Sequence, residues 1–351
     1  MLDINAQKNI SLQEYLAAWS GNDRERGAVF DTLMAITNAS IELQALLVKG
    51  ALAGDLGSAT GCVGGGDDQK ELDRRANDIF IENLAKAPVA AVASEEMEHA
   101  LDLDDTNPLI VALDPLDGSS NIETNVTVGV MFSVLPKLQA VKGDANFLQP
   151  GSRQVAAGIV VYGPQTTFLL TVGDGAHVFT LDGETRSFLC THPNVAIPPT
   201  TREYAINDSN YCQWDEAVRV YVDDCRLGRD GPRIVDFNMR WVGSFVAEIS
   251  RIFSRGGIYL YPGDNRKGYE KGRLRLIYEV NPAAWLIEQA GGKATTGQKR
   301  ILDLVPTKLH GRAPLICGSF DEVDYVCRIF QQPVAHADRS PLFKKRSFFY
   351  F

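Results

Sequence analysis

Apolar residues recur every three or four positions over residues 28–49, and this spacing predicts an amphipathic helix that ends at Gly50. A second helical pattern covers residues 70–87 and ends before Pro88. The segment between them, residues 54–69, includes six glycines. Such backbone freedom is typical of a mobile surface loop, so we predict no regular element there.

The next part of the chain is dominated by patterns typical of β-strands. Apolar runs at 89–93 and 109–113 predict two buried strands, and similar runs separated by glycine-containing turns continue from 126 to about 188. Three prolines within residues 191–203 indicate a domain boundary. We therefore predict domains at residues 1–195 and 196–335, followed by a tail at 336–351.

Helices and strands alternate beyond this boundary. Residues 241–254 predict a helix, and the runs "IYLYP" and "LRLIYEV" predict strands. In "NPAAWLIEQAGG", Asn281 has the side chain of an N-cap, Pro282 suits the first helical position and Gly291 is a typical stop.

Length, charge and cysteine usage narrow the classes of protein. The 351 residues exceed one ordinary compact core, and the net charge of −9 argues against non-specific nucleic-acid binding, which needs a basic surface. No apolar run reaches about 18 residues and no signal peptide is recognisable, so we expect no membrane association. The six cysteines are dispersed without a C-x-x-C pair, which predicts a cytoplasmic protein with free thiols.

Two carboxylates stand at the end of the predicted strand 109–113. In "DPLDGSSN", Asp114 and Asp117 lie three residues apart around a proline, with the backbone carbonyl of Leu116 between them. Such groups can converge on one point. Oxygen ligands of this kind are those that hard divalent cations such as Mg²⁺ prefer.

The residues after these carboxylates add hydrogen-bond donors. Gly118 permits close approach of the backbone, and the amides and hydroxyls of Gly118, Ser119 and Ser120 form a group that suits a phosphate. We interpret the stretch as a metal site beside a phosphate site. An ordinary tight turn is the alternative, because Asp, Pro and Gly all favour turns.

A second pair of acidic residues, Glu95 and Glu96, ends the strand at 89–93. Paired glutamates are most often a solvated surface. Ligands bind at the carboxyl ends of strands in α/β sheets, however, and four acidic groups at two such ends would repel one another without cations. Two metals bridged by these carboxylates could activate water and stabilise a leaving phosphate-ester oxygen.

A third group lies in "KGRLRLIYE". As a strand, this run places Arg273, Arg275 and Glu279 on one face. The planar guanidinium suits phosphate, and Glu279 is a further candidate metal ligand. A half-exposed strand carrying an ion pair is the alternative interpretation.

Six segments of the chain resemble the class I fructose-1,6-bisphosphatases, in order and at compatible spacing from about residue 28 to 330. They are "SEE", "DPLDGSSNI", "FLQPGSRQVAAGIVVYGPQTT", "GGIYLYP", "KGRLRLIYEVNPAAWLIEQAGG" and "DLVPTKLHGRAP". The inositol monophosphatases share only the metal core and usually have threonines where this chain has Ser119 and Ser120. The resemblance implies an α/β protein, a five-layered α-β-α-β-α sandwich of the sugar phosphatase (inositol monophosphatase-like) superfamily, and usually a homotetramer.

The resemblance also implies roles near the metals. Mg²⁺, or Mn²⁺ in its place, would be held by Glu95, Asp114, the Leu116 carbonyl, Asp117 and Glu279. Glu96 and Asp73 would activate and orient the attacking water, and Asp68 belongs to a mobile loop that closes over the metals.

Further roles concern the substrate. The resemblance implies that the leaving phosphate would be held by Gly118, Ser119, Ser120 and Arg275. The sugar and its distal phosphate would be held by Asn207, Arg240, Trp241, Tyr261 and Arg273, with Arg240 reaching from a neighbouring subunit.

The chain departs from the family pattern in three places. Trp241 replaces a common tyrosine, and Arg273 replaces a common lysine. The segment "GNDRERGAVFDTL" does not match the G-T-G-E-L-T pattern of AMP-inhibited members, so we expect no AMP inhibition of the usual kind. The cysteine-bearing insertion of the light-regulated chloroplast enzymes is also missing, so we expect no thioredoxin control.

The sequence therefore predicts Mg²⁺-dependent hydrolysis of fructose 1,6-bisphosphate to fructose 6-phosphate and phosphate, in gluconeogenesis or the reductive pentose phosphate cycle. The same chemistry on sedoheptulose 1,7-bisphosphate is the main alternative, because Trp241 and Arg273 alter the distal site. An inositol-phosphate phosphatase is disfavoured by the arginine-rich distal site. A catalytically silent metabolite-binding protein is a further alternative that no residue favours.

Overall fold

The computed structural model of the chain describes residues 8–53, 59–62 and 68–331. Its helices are α1 (Leu12–Ser20), α2 (Arg24–Lys49), α3 (Glu71–Leu84), α4 (Glu216–Leu227), α5 (Phe245–Arg255), α6 (Asn281–Gln289) and α7 (Phe320–Gln331). Its strands are β1 (Ala59–Cys62), β2 (Asp68–Lys70), β3 (Val89–Ser94), β4 (Leu101–Asp102), β5 (Leu109–Asp117), β6 (Val128–Pro136), β7 (Ala156–Tyr162), β8 (Thr166–Thr171), β9 (His177–Asp182), β10 (Ser187–His192), β11 (Glu203–Ala205), β12 (Asn238–Met239), β13 (Ile258–Tyr261), β14 (Lys293–Thr295) and β15 (Leu315–Gly318).

Two large sheets organise these elements. The first has eight strands in the order β10-β9-β8-β7-β6-β5-β3-β4 and is antiparallel except for the parallel pair β3–β5. The second has five strands in the order β12-β11-β13-β15-β14, with β11 parallel to both of its neighbours. The strands β3 and β5 are buried along their whole length, which explains their continuous apolar runs.

Helices cover both faces of both sheets. The helices α1, α2 and α3 share one hydrophobic cluster with the large sheet. A second cluster joins α5 and α6 to the opposite face of that sheet and to one face of the small sheet. The third cluster packs α4 and α7 on the outer face of the small sheet. The predicted five-layered α-β-α-β-α sandwich is therefore confirmed. Within the described part of the chain, no helix combines the length and apolar character needed to cross a membrane.

Two predicted helices are confirmed with changed starting points. The helix predicted over 28–49 begins at Arg24, because the Asp23 carboxylate accepts the N–H groups of Glu25 and Arg26 at 2.9 and 3.0 Å. The helix predicted from residue 241 begins only at Phe245. Gly243 has φ +77°, and the Ser244 hydroxyl caps the helix by accepting the Ala247 N–H. Residues 240–243 therefore precede the helix and do not share its conformation.

The prediction of no regular element over residues 54–69 is wrong in part. The strands β1 and β2 pair antiparallel, with Ala59 opposite Lys70. Backbone pairing between β1 and β2 compensates for the low strand propensity of this glycine-rich stretch. Its remaining residues, and the predicted tail at 336–351, lie outside the described residues.

The strand predicted at "LRLIYEV" is wrong. Only its beginning is extended: the Leu274 carbonyl accepts the Ala313 N–H at 3.0 Å. From Leu276 to Val280 the chain makes one π-helical turn, in which the Arg275 carbonyl accepts the Val280 N–H, and this turn runs directly into α6. Asn281 is therefore inside the helix rather than its N-cap. A short apolar run fits a buried helical turn as well as a strand, and tertiary contacts decide between them.

A glycine in β6 lets α5 approach the large sheet. A Cβ on Gly129 would lie 2.4 Å from the Val160 carbonyl oxygen and 3.0 Å from both methyl carbons of Val246. Gly129 also stands opposite Asp117 in the β5–β6 pair. The missing side chain therefore allows the first turn of α5 to lie against this carboxylate.

We expect Gly129→Ala to lower the free energy of unfolding by about 2 kcal/mol, because the methyl group meets backbone as well as a packed side chain. Gly27→Ala on α2 is the matched control. Nothing lies within 4 Å of a Cβ there, so the same change should raise stability by about 0.5–1 kcal/mol. Thermal unfolding midpoints measured side by side test both signs. An unchanged midpoint for Gly129→Ala would contradict the proposed close contact.

Candidate active site

The parallel pair β3–β5 brings the first two acidic motifs together. Ser94 stands beside Leu113 in the register, and the Glu95 N–H donates to the Leu113 carbonyl at 3.0 Å. Because parallel strands end at the same edge of a sheet, Glu95 lies next to Asp114. The predicted neighbourhood of these two strand ends is confirmed.

The third acidic group comes from the π-helical turn. The backbone N–H of Arg275 donates to the Glu279 carboxylate, which holds that side chain back against the start of its own turn. Ligand oxygens of Glu95, Asp114 and Glu279 then all lie within 4.8 Å of one another. We refer to these three carboxylates as the acidic cluster. They come from three separate parts of the chain, namely the end of β3, β5 and the π-helical turn.

Asp117 reaches the same region through an irregularity in β5. The β5–β6 register shifts between Asp114 and Asp117, so the two carboxylates need not alternate as in a regular strand. Asp117 Oδ2 accepts the Val246 N–H from the first turn of α5 at 3.2 Å. Between Asp114 and Asp117 in the sequence, the Leu116 N–H donates to Asp114 Oδ1 at 2.9 Å.

Burial and mutual repulsion make these carboxylates hard to ionise together. Burial raises the pKa of Asp114 well above its usual range, and the charges of Glu95, Asp117 and Glu279 raise it further. Glu279 shows the same direction, with burial as the main cause and Glu95 and Asp117 adding to it. Burial also raises the pKa of Asp117 to about 7, although the Val246 N–H opposes that shift. A divalent cation would remove this repulsion, and the hard oxygen donors suit one.

Arg275 links the acidic cluster to the neighbouring phosphate motif. Its side chain is buried, and its Nε donates to Glu95 Oε1 at 3.2 Å. The predicted placement of Arg275 on one strand face with Arg273 is not observed, because Arg275 is buried whereas Arg273 is exposed. Arg275 directly precedes the π-helical turn that starts at Leu276.

The segment after Asp117 forms a tight turn followed by a short helix. Gly118 has φ +82°, a left-handed conformation that other residues rarely adopt, and Ser119–Thr124 is a 3₁₀ helix. Ser119 is half-buried and Ser120 exposed. A small helix therefore begins at the predicted phosphate motif.

Asp73 on α3 lies beside this turn. Its Oδ2 accepts the Lys70 N–H at 2.8 Å, and the Lys70 side chain reaches the Ser119 carbonyl at 3.4 Å. Burial raises the pKa of Asp73, while hydrogen bonds from Lys70 and Ser119 oppose the shift. Its Oδ1 is buried and has no hydrogen-bond partner among the described residues.

The other two predicted catalytic residues are Glu96 and Asp68. Glu96 follows the acidic cluster directly after β3 and is half-buried, and its N–H donates to the Ser94 hydroxyl at 3.2 Å. Asp68 belongs to β2 by its backbone, but its side chain lies outside the described residues.

The predicted sugar-binding residues fall into two groups. Asn207, Tyr261 and Arg273 line one small cavity at the end of β13. The Arg273 guanidinium lies 4.1 Å from the centre of the Tyr269 ring, which the sequence argument did not single out. Arg240 does not line this cavity. It is exposed, and its Nε lies 3.4 Å from Glu203 Oε1.

Trp241 stacks against two tyrosines of β13, one of which, Tyr261, lines this cavity. Its indole and the rings of Tyr259 and Tyr261 lie within 10° of parallel, with centroids 5.9 to 6.2 Å apart. Tyr259 was not predicted, although its alternation with Tyr261 in "IYLYP" places both side chains on one strand face. The Val246 N–H was also not predicted. The Gly243-Ser244 pair that starts α5 was the available signal.

Two family models match consecutive parts of the chain. The N-terminal domain of fructose-1-6-bisphosphatase matches residues 16–193, and the C-terminal domain matches residues 197–331. Together they cover more than half of the sequence.

Individual relatives extend this likeness to whole proteins. A fructose-1,6-bisphosphatase class 1 of Rhodopseudomonas palustris strain BisB18 is 49% identical over 343 residues, 97% of this chain and 99% of that protein. One of Azorhizobium caulinodans is 50% identical over 325 residues, 92% and 99% of the two chains. The holo-form crystal structure of Leishmania major fructose-1,6-bisphosphatase has a TM-score of 0.86 at 32% identity and covers 93% of this chain and all of its own. The T-state structure has a TM-score of 0.81.

The sandwich and these matches define a phosphatase of the phosphoric monoester hydrolase class. Within that class, the chain belongs to the class 1 fructose-1,6-bisphosphatase family. The resemblance noted in the sequence is therefore confirmed.

We expect Asp117→Asn to raise the thermal unfolding midpoint of the metal-free protein at pH 8. The amide oxygen can still accept the Val246 N–H, while a buried negative charge is removed. The gain should be on the order of 2 kcal/mol at pH 8.

The gain should be smaller at pH 5 and disappear below about pH 4. The pKa of Asp117 is raised to about 7 in the folded protein, whereas it is about 4 in the unfolded chain. Ionisation of Asp117 therefore lowers the stability of the folded protein as the pH rises through this range. Below that window both forms of residue 117 are uncharged. Asp31→Asn, at an exposed position of α2, is the control. A loss of stability at pH 8, or an equal gain at both pH values, would contradict the repulsion described above.

Proposed function

We propose that the chain catalyses Mg²⁺-dependent hydrolysis of fructose 1,6-bisphosphate to fructose 6-phosphate and phosphate. The observation that carries this proposal is the acidic cluster within 4.8 Å, beside a turn with Gly118 in a left-handed conformation. The reaction belongs to gluconeogenesis or to the reductive pentose phosphate cycle, and the residues favour neither.

The metal ligands in this proposal are Glu95, Asp114, the Leu116 carbonyl, Asp117 and Glu279. The support is their convergence and the raised pKa values of Asp114, Asp117 and Glu279, since carboxylates this crowded are best stabilised by a cation. These residues would hold Mg²⁺, or Mn²⁺ in its place, which would supply polarisation of the phosphate ester and neutralisation of charge on the leaving oxygen.

The water that attacks phosphorus is activated by Glu96 and Asp73. Asp73 Oδ1 is buried and has no hydrogen-bond partner in the described part of the chain, so it has a lone pair available for a water proton. Burial raises the pKa of the Asp73 carboxyl, which makes it a better proton acceptor. Asp68, the first residue of β2, is the third member of this catalytic group.

The substrate is oriented at both ends. Gly118, Ser119 and Ser120 donate to the leaving phosphate, together with Arg275. At the other end the sugar and distal phosphate contact Asn207, Trp241, Tyr261 and Arg273. Positioning of this kind is a large part of catalysis in phosphate chemistry.

Arg240 acts in the site of a neighbouring subunit within a homotetramer. The support is its exposure and its absence from the cavity lined by Asn207 and Tyr261. We also propose that the chain divides into domains at residues 1–195 and 196–335. All strands of the eight-stranded sheet precede that boundary, and all strands of the five-stranded sheet follow it.

A cytoplasmic location is part of the proposal. Its support is the cysteine chemistry: the five cysteines with described side chains are all free thiols, and four of them are buried. Free thiols of this kind persist in a reducing compartment.

Sedoheptulose 1,7-bisphosphate is a second candidate substrate. The observation in its favour is the changed distal half, where Arg273 lies over Tyr269 and Trp241 lies beside Tyr261. A planar guanidinium and a larger ring offer different contacts from lysine and tyrosine.

Phosphate release should be measured with Mg²⁺ from fructose 1,6-bisphosphate, sedoheptulose 1,7-bisphosphate and inositol 1-phosphate. We expect the fastest release from the fructose ester, complete loss with EDTA, and no response to AMP. A clear preference for the heptulose ester would require a new assignment of the distal site. Lack of release from all three would reject the phosphatase proposal.

We expect Glu96→Gln to lower kcat by about 10²- to 10⁴-fold, because the amide cannot accept a proton from water. Binding of fructose 1,6-bisphosphate should change little, since Glu96 does not hold the sugar. Glu98→Gln, the same change at an exposed position two residues away, is the matched control and should retain full turnover. Equal losses in kcat and in substrate binding would exclude the role given to Glu96.

A further inference from the structure

Residues 240–246 bridge the two halves of the active site, and we call them the bridging segment. At one end the Val246 N–H donates to Asp117, and at Gly243 the carbonyl accepts the Asn121 side-chain amide at 3.0 Å. At the other end Trp241 lies beside Tyr261, which lines the distal cavity. The position of this segment therefore sets the geometry between the metal side and the sugar side.

The first four residues of the bridging segment, 240–243, are less buried than its last three. Val242 is 47% exposed, and Arg240 and Gly243 are also exposed. The Arg240 N–H donates to the Tyr204 carbonyl at 2.7 Å, which ties the segment to β11. Between that bond and the start of α5, the Val242 N–H donates to Glu248 Oε1 at 2.7 Å.

Glu248 is an unusual partner for an exposed loop, because its side chain is fully buried. A buried carboxylate is costly unless it is paired and hydrogen-bonded. Arg251 provides that pairing, with Nε 3.1 Å and Nη2 2.9 Å from Glu248 Oε2. One oxygen of Glu248 thus holds Arg251, and the other holds the bridging segment.

The ion pair continues to Arg240. Arg251 Nη1 donates to Glu203 Oε2 at 3.0 Å, and Glu203 Oε1 accepts from Arg240 Nε. Side-chain exposure is 10% for Arg251 and 17% for Glu203, so the pair that they form is largely shielded from solvent, whereas the Arg240 side chain is 49% exposed. The chain Glu248–Arg251–Glu203–Arg240 therefore holds both the backbone and a side chain of the bridging segment.

We propose that Glu248 is a positioning residue for the sugar-binding half of the site. It acts through the bridging segment, with Arg251 and Glu203 transmitting the same constraint to Arg240. The inference rests on the proposed function for its ligands, because that function assigns Trp241 to the sugar and distal phosphate in its own subunit and Arg240 to those of a neighbouring subunit. A purely structural role would affect stability without discriminating between ligands of the two halves.

The test compares two product inhibitors in the full-length wild-type enzyme and in Glu248→Gln. Fructose 6-phosphate probes the sugar side, and inorganic phosphate probes the metal side. Glutamine has one acceptor oxygen, so it cannot hold both Arg251 and the Val242 N–H. We expect the KM for fructose 1,6-bisphosphate and the inhibition constant of fructose 6-phosphate to rise about tenfold. The kcat and the inhibition constant of phosphate should stay within about threefold.

A matched control is available in a second buried ion pair. Glu322 on α7 is 4% exposed and accepts from Arg233 Nη2 at 2.6 Å and from the hydroxyl of the α4 residue Tyr221 at 3.1 Å, and both partners lie outside the bridging segment. Glu322→Gln should lower the thermal unfolding midpoint without changing either inhibition constant. Glu203→Gln should reproduce the fructose 6-phosphate effect more weakly, because Glu203 holds Arg240 but not Val242.

The possible outcomes test the positioning role of Glu248 separately from the proposed function. Equal weakening of both inhibitors, or of neither, in Glu248→Gln would overturn the positioning role. If Glu248→Gln does not fold, Glu203→Gln decides: selective loss of fructose 6-phosphate inhibition supports the role, and its absence overturns it. If the wild-type enzyme releases no phosphate from fructose 1,6-bisphosphate, the proposed function fails. Direct calorimetric titration of fructose 6-phosphate and phosphate into each variant then decides the positioning role by the same comparison.

Discussion

The electrostatic repulsion among Glu95, Asp114, Asp117 and Glu279 is the constraint on which the active-site architecture depends. These carboxylates come from the end of β3, from β5 and from the turn before α6, and burial together with their mutual repulsion raises the pKa values of Asp114, Asp117 and Glu279. Such an arrangement is unfavourable for folding by itself. It persists because the surrounding layers are well packed, and it provides a strong preference for a divalent cation.

The sandwich supplies the rigidity that this arrangement requires. The strands β3 and β5 are buried on both faces, so the ends that carry the acidic groups are fixed by packing rather than by loops. Gly129 lets α5 approach the sheet, and the Val246 N–H in the first turn of that helix donates to Asp117. A packed core and a helix terminus thus offset part of the cost of burying charge.

The proposed sugar side is stabilised by different interactions. Its groups are aromatic rings and exposed or half-exposed arginines, held by π contacts and ion pairs, as in the cation–π contact of Arg273 with Tyr269. The bridging segment joins this side to the metal side, and the buried Glu248 anchors it. A change in substrate preference can therefore arise on the sugar side while the acidic cluster remains the same, which is where Trp241 and Arg273 depart from the family pattern.

The sequence by itself determined the elements with strong periodicity, the acidic and glycine motifs, and the family, because local spacing and motif identity are enough for these. It also indicated that Glu95 and Asp114 would meet, since both end buried strands. Tertiary structure alone decided that "LRLIYEV" is a π-helical turn, because a short buried apolar run satisfies either conformation. It likewise decided the partners of Asp117 and Val242, since the Val246 amide and the Glu248 carboxylate reach them only after α5 docks against the sheet. Motifs record which groups are present, whereas packing decides which of them meet.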